Sequence, residues 1–199
     1  LPARFEPKGV QEAKRRVCMV LLIDRTNSMH GQPNLLAKQS AVELVKQLAP
    51  EDLVGVFAFD VIPRVVVEVQ PAGGVQAWLI DKLLQLKASG GTDIYPALEV
   101  SEQRLQQTGA SVKHILLISD GDTQFYEDPY PRLYQALTQR LKESQISIST
   151  FGINARGVNA AFLRWLASET SGTFYPVEHR LLPQLIARDT QKTLGQLPF

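Results

Sequence analysis

The sequence has little of three things that would narrow its class at once: cysteine, excess charge and long apolar runs. Its 199 residues include one cysteine, Cys18, so neither an intrachain disulfide nor a zinc site of several cysteines can form. Twenty-one basic and 20 acidic residues leave a net charge of +1, which argues against a nucleic-acid or anionic-membrane binder. The longest apolar run, residues 17–23, is too short to cross a bilayer. The hydrophobic share of 44% is ordinary for a globular protein.

Motifs of the common enzyme classes are also missing. The sequence has no Gly-x-Ser-x-Gly elbow, no Gly-x-x-x-x-Gly-Lys phosphate loop and no Gly-x-Gly-x-x-Gly dinucleotide loop. No signal peptide is visible, and the chain begins at Leu1 rather than methionine. We therefore expect a piece of a longer protein.

Strand and helix signals alternate along the chain. Apolar runs and alternating patterns predict strands over residues 17–23, 53–59, 61–70, 113–119, 146–153 and 173–177. Apolar residues at helical spacing predict helices over 33–48, 74–86, 95–107, 131–144, 159–170 and 181–194. Pro63 makes 61–70 an antiparallel edge strand, and Gly172 is the expected stop of the fifth helix. The prediction is one α/β domain: an open doubly wound, mostly parallel six-stranded sheet with helices on both faces.

Three short polar segments carry the chemistry. They are Asp24-Arg25-Thr26-Asn27-Ser28, Ser89-Gly90-Gly91-Thr92-Asp93 and Ser119-Asp120-Gly121-Asp122. The first and third each follow an apolar run, and ligand sites of parallel sheets lie just past the carboxyl ends of the strands. Two carboxylates and three hydroxyls would then meet at one edge, and an all-oxygen set of this kind suits Mg²⁺. The alternative is a turn whose side chains bond only to nearby backbone.

The three segments resemble a von Willebrand factor A (vWA) domain with a metal-ion-dependent adhesion site. That family has Asp-x-Ser-x-Ser after the first strand, Thr before the third helix and Asp after the fourth strand. The corresponding positions here are Asp24, Thr26, Ser28, Thr92 and Asp120, with Thr26 where Ser is commoner. The resemblance implies that these five hold Mg²⁺, or Mn²⁺ or Ca²⁺ in its place, directly or through water. It also implies that a carboxylate of a protein partner fills the open coordination position. It covers residues 16–194, which leaves a lead-in (1–15) and a tail (195–199).

Residues of the same loops should ring the metal and contact the partner. We expect this rim to consist of Arg25, Asn27, His30, Asp93, Tyr95, Asp122, Tyr126 and Tyr130. Tyr126 and Tyr130 are the favoured contacts, because exposed aromatic side chains on a rigid loop are typical interface anchors. Phe125 and Tyr134 are expected to fold back over a helix instead. The three histidines fall in separate segments, and no two are expected to pair.

A finer likeness links residues 23–29, 55–60, 90–98 and 117–121 to vWA domains of bacterial membrane-anchored proteins. This likeness implies a membrane-tethered parent protein, with the extracytoplasmic side slightly favoured. The fragment itself is expected to be monomeric, to insert into no membrane and to bind no nucleic acid.

Two other interpretations stay open beside a non-catalytic, metal-dependent protein-interaction module. One is a structural vWA scaffold that binds no metal, since fold alone does not establish function. The other is a phosphohydrolase similar to haloacid dehalogenases, with Asp24 as nucleophile. That family wants a second Asp where Thr26 stands, and it has no counterpart of the Gly90-Gly91-Thr92 segment.

Overall fold

Six strands form one sheet in the order β3-β2-β1-β4-β5-β6. The strands are β1 Val17–Asp24, β2 Leu53–Phe59, β3 Pro63–Pro71, β4 Val112–Ser119, β5 Ile146–Ile153 and β6 Phe174–Val177. β3 pairs with β2 in antiparallel fashion, and every other pair is parallel, which confirms the predicted sheet with its antiparallel edge strand. The computed structural model describes residues 15–196. The predicted lead-in except Arg15, and the last three residues of the predicted tail, lie outside the described residues.

Helices connect the strands and cover both faces of the sheet. They are α1 Gln32–Gln47, α2 Gln76–Leu84, α3 Ile94–Gln106, α4 Tyr130–Glu143, α5 Gly157–Glu169 and α6 Leu182–Thr193. All six predicted helices are present, and most ends differ from the prediction by one or two residues. α2 is shorter because residues 72–74 form a separate 3₁₀ turn, in which Gly73 packs closely on Pro50.

The central strand β1 shows how one sequence serves two cores. All eight of its residues are buried, and alternate side chains point to opposite faces of a strand. Met19, Leu21 and Ile23 pack into the core beneath α1, α2 and α6. Cys18, Val20 and Leu22 pack into the other core, beneath α3, α4 and α5. A continuous apolar run therefore reads as a strand with both faces covered.

The connection from α5 to β6 corrects the predicted role of Gly172. α5 ends at Glu169, and the left-handed residue that follows is Ser171, with φ of 59°, rather than the glycine. The backbone N–H of Gly172 then donates to the Ala167 carbonyl (2.9 Å), which closes the last turn. A Cβ at Gly172 would lie 1.8 Å from the Ile148 carbonyl oxygen. Glycine is required there because the turn presses directly against β5.

Two further predictions can be checked against the fold. Cys18 is fully buried in the sheet, as predicted for a small hydrophobe, and burial raises the pKa of its thiol to about 12. Within residues 15–196, no helix has both the length and the apolar character that crossing a membrane requires.

Candidate metal centre

Asp24 lies at the carboxyl end of the central strand and is completely buried. Ser119 Oγ, from the end of the neighbouring strand β4, donates to its Oδ2 (2.7 Å). The backbone N–H of Thr26 donates to its Oδ1 (2.9 Å). Burial raises the pKa of Asp24 to about 6, hydrogen bonds from Ser119 and Thr26 oppose that rise, and the negative charge of Asp120 adds to it. Two hydrogen bonds thus hold the Asp24 carboxyl group in place, while its burial disfavours the ionised form.

The two hydroxyls after Asp24 point to a common position. Thr26 Oγ1 and Ser28 Oγ lie 3.0 Å apart, within hydrogen-bonding distance. Thr26 is buried and Ser28 is exposed, so the pair runs from the sheet edge to the surface. A short 3₁₀ turn, Asn27–Met29, carries Ser28, and Met29 anchors this turn in the core. The structure thus brings the hydroxyls of Thr26 and Ser28 together, while a shared metal centre with Asp24 stays a prediction.

Backbone hydrogen bonds fasten the loop of Thr92 to the loop of Asp24. The N–H of Ser89 donates to the Arg25 carbonyl (2.8 Å), and the N–H of Asn27 donates to the Gly90 carbonyl (3.4 Å). Gly90 has φ of 81°, a conformation that glycine adopts without strain, and it lies against Asp60. Thr92 is half-buried and directly precedes Asp93, the N-cap residue of α3. The loop is therefore built onto the candidate site.

Asp120 completes the set on the other side of Asp24. It follows β4 directly, is half-buried, and acts on Asp24 through its charge. Its Oδ1 accepts the backbone N–H of Asp122 (3.0 Å). Gly121 has φ of 78°, and a Cβ there would lie 2.8 Å from the Asn159 carbonyl oxygen. This close approach fixes the backbone just past Asp120.

Two residues that shape the site were missed among the candidate residues. Ser119 is not among the predicted ligands or rim residues. Its Oγ donates to Asp24 Oδ2 and accepts the backbone N–H of Gly121 (2.9 Å). Asp60 follows β2, is buried, and pairs with Arg25 (3.2 Å). The carbonyl of Asp60 also accepts the N–H of Asp93 (2.8 Å). The rule that placed Asp24 and Asp120 at the strand ends also points to Asp60, which follows a buried strand.

The predicted rim residues divide into exposed side chains and engaged ones. Asn27, His30, Asp122 and Tyr126 are exposed, whereas Arg25, Asp93, Tyr95 and Tyr130 are half-buried. Tyr130 donates to Asp93 Oδ2 (2.8 Å), and the backbone N–H of Tyr95 donates to Asp93 Oδ1 (3.1 Å). Tyr95 in turn donates to Glu99 (2.7 Å), and Tyr126 to the Val158 carbonyl (3.1 Å). The structure thus links the loop of Thr92 to the start of α4, while partner contact by these residues stays a prediction.

The aromatic residues of the loop after Asp120 separate as predicted. Tyr134 is completely buried, and Phe125 packs on Tyr134, Phe162 and Trp165 with ring centroids 5.5, 4.6 and 5.1 Å apart. Tyr126 remains 56% exposed at the edge of this cluster. Phe125 thus packs against both the buried Tyr134 ring and the exposed Tyr126 ring.

The donor set fits a hard divalent cation. It contains two carboxylates and three hydroxyls, all oxygen ligands, which Mg²⁺ prefers. Within the described part of the chain, Asp24 forms no ion pair, because the adjacent Arg25 is paired with Asp60. Over the same residues, no three His, Cys, Asp or Glu side chains group as a metal site would, so the hydroxyls are essential to this candidate centre.

Comparison with known proteins places the chain in a family. The sequence model of the von Willebrand factor type A domain matches residues 19–123, from β1 to the loop after Asp120. The chain belongs to this family. The match includes all five predicted metal ligands of this vWA domain.

Two curated bacterial proteins match parts of the vWA domain. Protein sll0103 of Synechocystis is 33% identical over 107 residues, which are 53% of this chain and 25% of that protein. Protein YfbK of Escherichia coli is 26% identical over 159 residues, which are 78% of this chain and 27% of that protein. The chain spans about a quarter of the length of these relatives.

Solved structures show the same fold at low sequence identity. A von Willebrand factor type A protein from Catenulispora acidiphila has a TM-score of 0.79 at 22% identity, over 90% of this chain and 43% of that one. An aerotolerance-related membrane protein from Bacteroides fragilis has a TM-score of 0.65 at 18% identity, over 89% and 99%. The pilus adhesin SpaC from Lactobacillus rhamnosus, in an open conformation, has a TM-score of 0.74 at 13% identity, over 94% and 31%.

Proposed function

We propose that this vWA domain is a non-catalytic protein-interaction module that binds Mg²⁺ and, through it, a carboxylate of a partner protein. The observation that carries the proposal is Asp24, a completely buried carboxylate without a cationic partner among residues 15–196. A buried charge of this kind is costly unless it is paired or coordinates a metal. Mg²⁺ or Mn²⁺ would supply the missing charge, held by Asp24, Thr26, Ser28, Thr92 and Asp120.

The shape of the site supports recognition of a protein rather than of a small molecule. Ser28 is exposed, and around it lie the exposed side chains of Asn27, His30 and Asp122. The centre thus opens on a surface to which a partner can bring a carboxylate, the ligand type that a hard cation accepts. Tyr126, 56% exposed and held by its hydroxyl at Val158, is the aromatic anchor that we assign to that surface.

The parent protein that we propose is tethered to a membrane, on the extracytoplasmic side. The support is the likeness of fold to an aerotolerance-related membrane protein and to a pilus adhesin, together with the short span of the chain against its curated relatives. An interaction module on a larger chain is consistent with both observations.

No observation favours the phosphohydrolase interpretation. Thr26 stands where that chemistry needs a second carboxylate, and its hydroxyl is engaged with Ser28 (3.0 Å). A phosphohydrolase of that kind also needs a lysine at the site, ahead of the last acidic motif. Lys113 precedes Asp120 in the sequence, but it lies near the start of β4, at the opposite end of the strand from Asp120.

Mn²⁺ binding tests the proposal directly. The paramagnetic resonance signal of free Mn²⁺ should fall as the wild-type domain binds one ion, and Mg²⁺ should restore it by competition. Asp24→Asn and Thr92→Val should each weaken binding at least 10-fold, because the first removes the negative charge of a ligand and the second removes a hydroxyl ligand. Asp122→Asn is the matched control, since Asp122 is an exposed carboxylate two residues from Asp120 and outside the ligand set. Equal losses in Asp122→Asn and Asp24→Asn would overturn the assignment, as would the absence of binding by the wild type.

A further inference from the structure

A second cluster of chemical groups lies at the other end of the sheet. His114 is near the start of β4, Ser147 is near the start of β5, and Asp189 is on α6. Asp24 and Asp120 lie at the carboxyl ends of β1 and β4, and the loop of Thr92 is bonded to the loop of Asp24, so the two places share no residue. The cluster brings together a serine, a histidine and an aspartate, the residue types of a nucleophile, a base and its orienting group.

The three side chains form a continuous hydrogen-bonded row. Ser147 Oγ lies 2.6 Å from His114 Nδ1, and His114 Nε2 lies 2.9 Å from Asp189 Oδ2. The side chains of His114 and Asp189 are only 3% and 4% exposed. Both distances fall in the range that links a nucleophile to its base and the base to a third group.

The partners of Asp189 fix the direction of the bond between Asp189 and His114. Ser149 Oγ and the Tyr175 hydroxyl both donate to Asp189 Oδ1, at 2.9 Å each. An ionised carboxylate only accepts, so His114 Nε2 must carry the hydrogen that faces Oδ2. In the tautomer with a hydrogen on Nε2 alone, Nδ1 accepts from the Ser147 hydroxyl. A serine hydroxyl that donates to a ring nitrogen can transfer its proton to that nitrogen during attack.

A small cavity gives access to Ser147. It has a volume of about 200 Å³, and its lining includes Ser147, His114, Arg15 and Lys192. Ser147 is half-buried, so its hydroxyl is within reach of a small molecule. Arg15 and Lys192 contribute two cations to the lining of this cavity. The nearby N–H groups of Gly172 and Thr173 are already bonded, to the Ala167 carbonyl and to Ser149 Oγ.

We propose that Ser147, His114 and Asp189 form a nucleophilic site that accepts the acyl group of small carboxylic esters. In the first step, Ser147 Oγ bonds to the ester carbonyl carbon while its proton moves to His114 Nδ1. The bond from the carbonyl carbon to the ester oxygen breaks, and the alcohol leaves with that proton. Water then attacks the carbonyl carbon of the acyl-serine and gives one proton to His114. The bond from that carbon to Ser147 Oγ breaks, the acid leaves, and the proton on His114 returns to Ser147 Oγ.

The same bonds also fasten α6 to the sheet, so the test must report chemistry and not folding. A fluorophosphonate forms a bond from phosphorus to an activated serine oxygen and loses fluoride, and the adduct stays on the protein. We would treat the wild-type domain with this probe in EDTA, which separates the result from the metal centre, and map the adduct by mass spectrometry. One adduct on Ser147 is expected, formed at least 100-fold faster than on Ser171, an exposed serine of the same cavity.

Three variants complete the experiment, each with its thermal unfolding measured in parallel. Ser147→Ala removes a single hydroxyl and should abolish both the adduct and hydrolysis of p-nitrophenyl acetate. Ser171→Ala should leave both unchanged. His114→Gln should slow labelling of Ser147 at least 100-fold. Mapping in the wild type needs no variant, so the absence of an adduct on Ser147 in the folded domain would overturn the proposal. Labelling of Ser147 at the same rate in His114→Gln would also overturn it.

Discussion

Asp24 and Asp189 are buried aspartates at opposite ends of the sheet, and their surroundings differ in one respect. Asp189 receives hydrogen bonds from His114, Ser149 and Tyr175, whereas Asp24 receives one hydroxyl and one backbone N–H. Burial raises both pKa values, but at Asp189 the hydrogen bonds from His114 and the two hydroxyls outweigh burial and lower the pKa. At Asp24 burial prevails. Asp189 is thus stabilised as a carboxylate by groups of the protein itself, and we propose that Asp24 is stabilised by a bound cation.

The largest expected effect on stability comes from substituting Asp189, whose carboxylate is hydrogen-bonded within the protein. Asp189→Asn places an amide N–H₂ against groups that donate, so at least one of its buried donors loses its acceptor. We expect a loss of about 3–5 kcal/mol in the free energy of unfolding at pH 7, measured by urea titration. A loss below about 1 kcal/mol would show that the cluster contributes little to holding α6.

The pH dependence of that loss sharpens the comparison. Because the pKa of Asp189 is lowered in the folded state, its contribution is fully present above the unfolded value of about 3.9. The contribution is lost as the pH falls below that value toward the folded pKa. The stability difference between wild type and Asp189→Asn should therefore shrink as the pH falls below about 4. A difference that stays constant or grows below that pH would contradict the assigned direction.

The matched change at the other end should be less destabilising. Asp24→Asn also turns an amide N–H₂ toward a donor, either Ser119 Oγ or the backbone N–H of Thr26, but it removes a buried charge that has no cationic partner among residues 15–196. In EDTA at pH 7, its loss in the free energy of unfolding should therefore be at least about 2 kcal/mol smaller than that of Asp189→Asn. Urea titrations of both Asn variants under identical conditions make the comparison. Destabilisation of Asp24→Asn by the same amount as Asp189→Asn would remove the distinction between the two ends.

The smallest expected effect concerns a single donor. Tyr175→Phe removes one hydroxyl from Asp189 and keeps the ring, which stacks on Phe151 with centroids 4.9 Å apart. We expect a loss of about 1–2 kcal/mol in the free energy of unfolding, since two donors to the carboxylate remain. Thermal and urea unfolding would measure it, and a loss as large as that of Asp189→Asn would mean that Tyr175 alone holds the cluster.

The fold was predictable because its signals are local. The run before Asp24 is apolar at every position, which indicates a strand covered on both faces, and Pro63 indicates an edge strand. The order of strands in the sheet was not predicted, because right-handed crossover connections restrict the possible orders without fixing one. Helix ends were less predictable, since the turn at residues 72–74 depends on the fit of Gly73 against Pro50, a contact between distant parts of the chain.

The candidate metal centre was predictable for a related reason. Parallel strands end at one edge, so polar residues after β1 and β4 converge there whatever the details of packing. The role of Ser119 was not visible, because its position at the end of a strand does not indicate which side chain of the neighbouring strand it will contact. The direction of the shift in the pKa of Asp24 also required the structure, since it depends on burial and on the distance to Asp120.

The cluster around Asp189 had no signal in the sequence. His114, Ser149 and Asp189 are separated by dozens of residues, and each alone looks like an ordinary member of a strand or helix. From the sequence we predicted only that no two histidines pair. A contact between His114 and Asp189, which lies 75 positions away, was not predicted. The prediction of Gly172 as a helix stop missed its actual role for the same reason. Its close approach to Ile148 is a tertiary contact, which the local sequence does not indicate.

Thermal unfolding in EDTA and in excess Mg²⁺, Mn²⁺ or Ca²⁺ tests the central claim that Asp24 awaits a cation. Metal at about 100 times its dissociation constant should stabilise the wild type by roughly 2.7 kcal/mol, or on the order of 5–10 °C. Asp189→Asn should keep that rise, because its carboxylate lies at the other end of the sheet, and Asp24→Asn should lose it. A wild type that unfolds at the same temperature with and without every metal would contradict the account, as would an equal rise in Asp24→Asn.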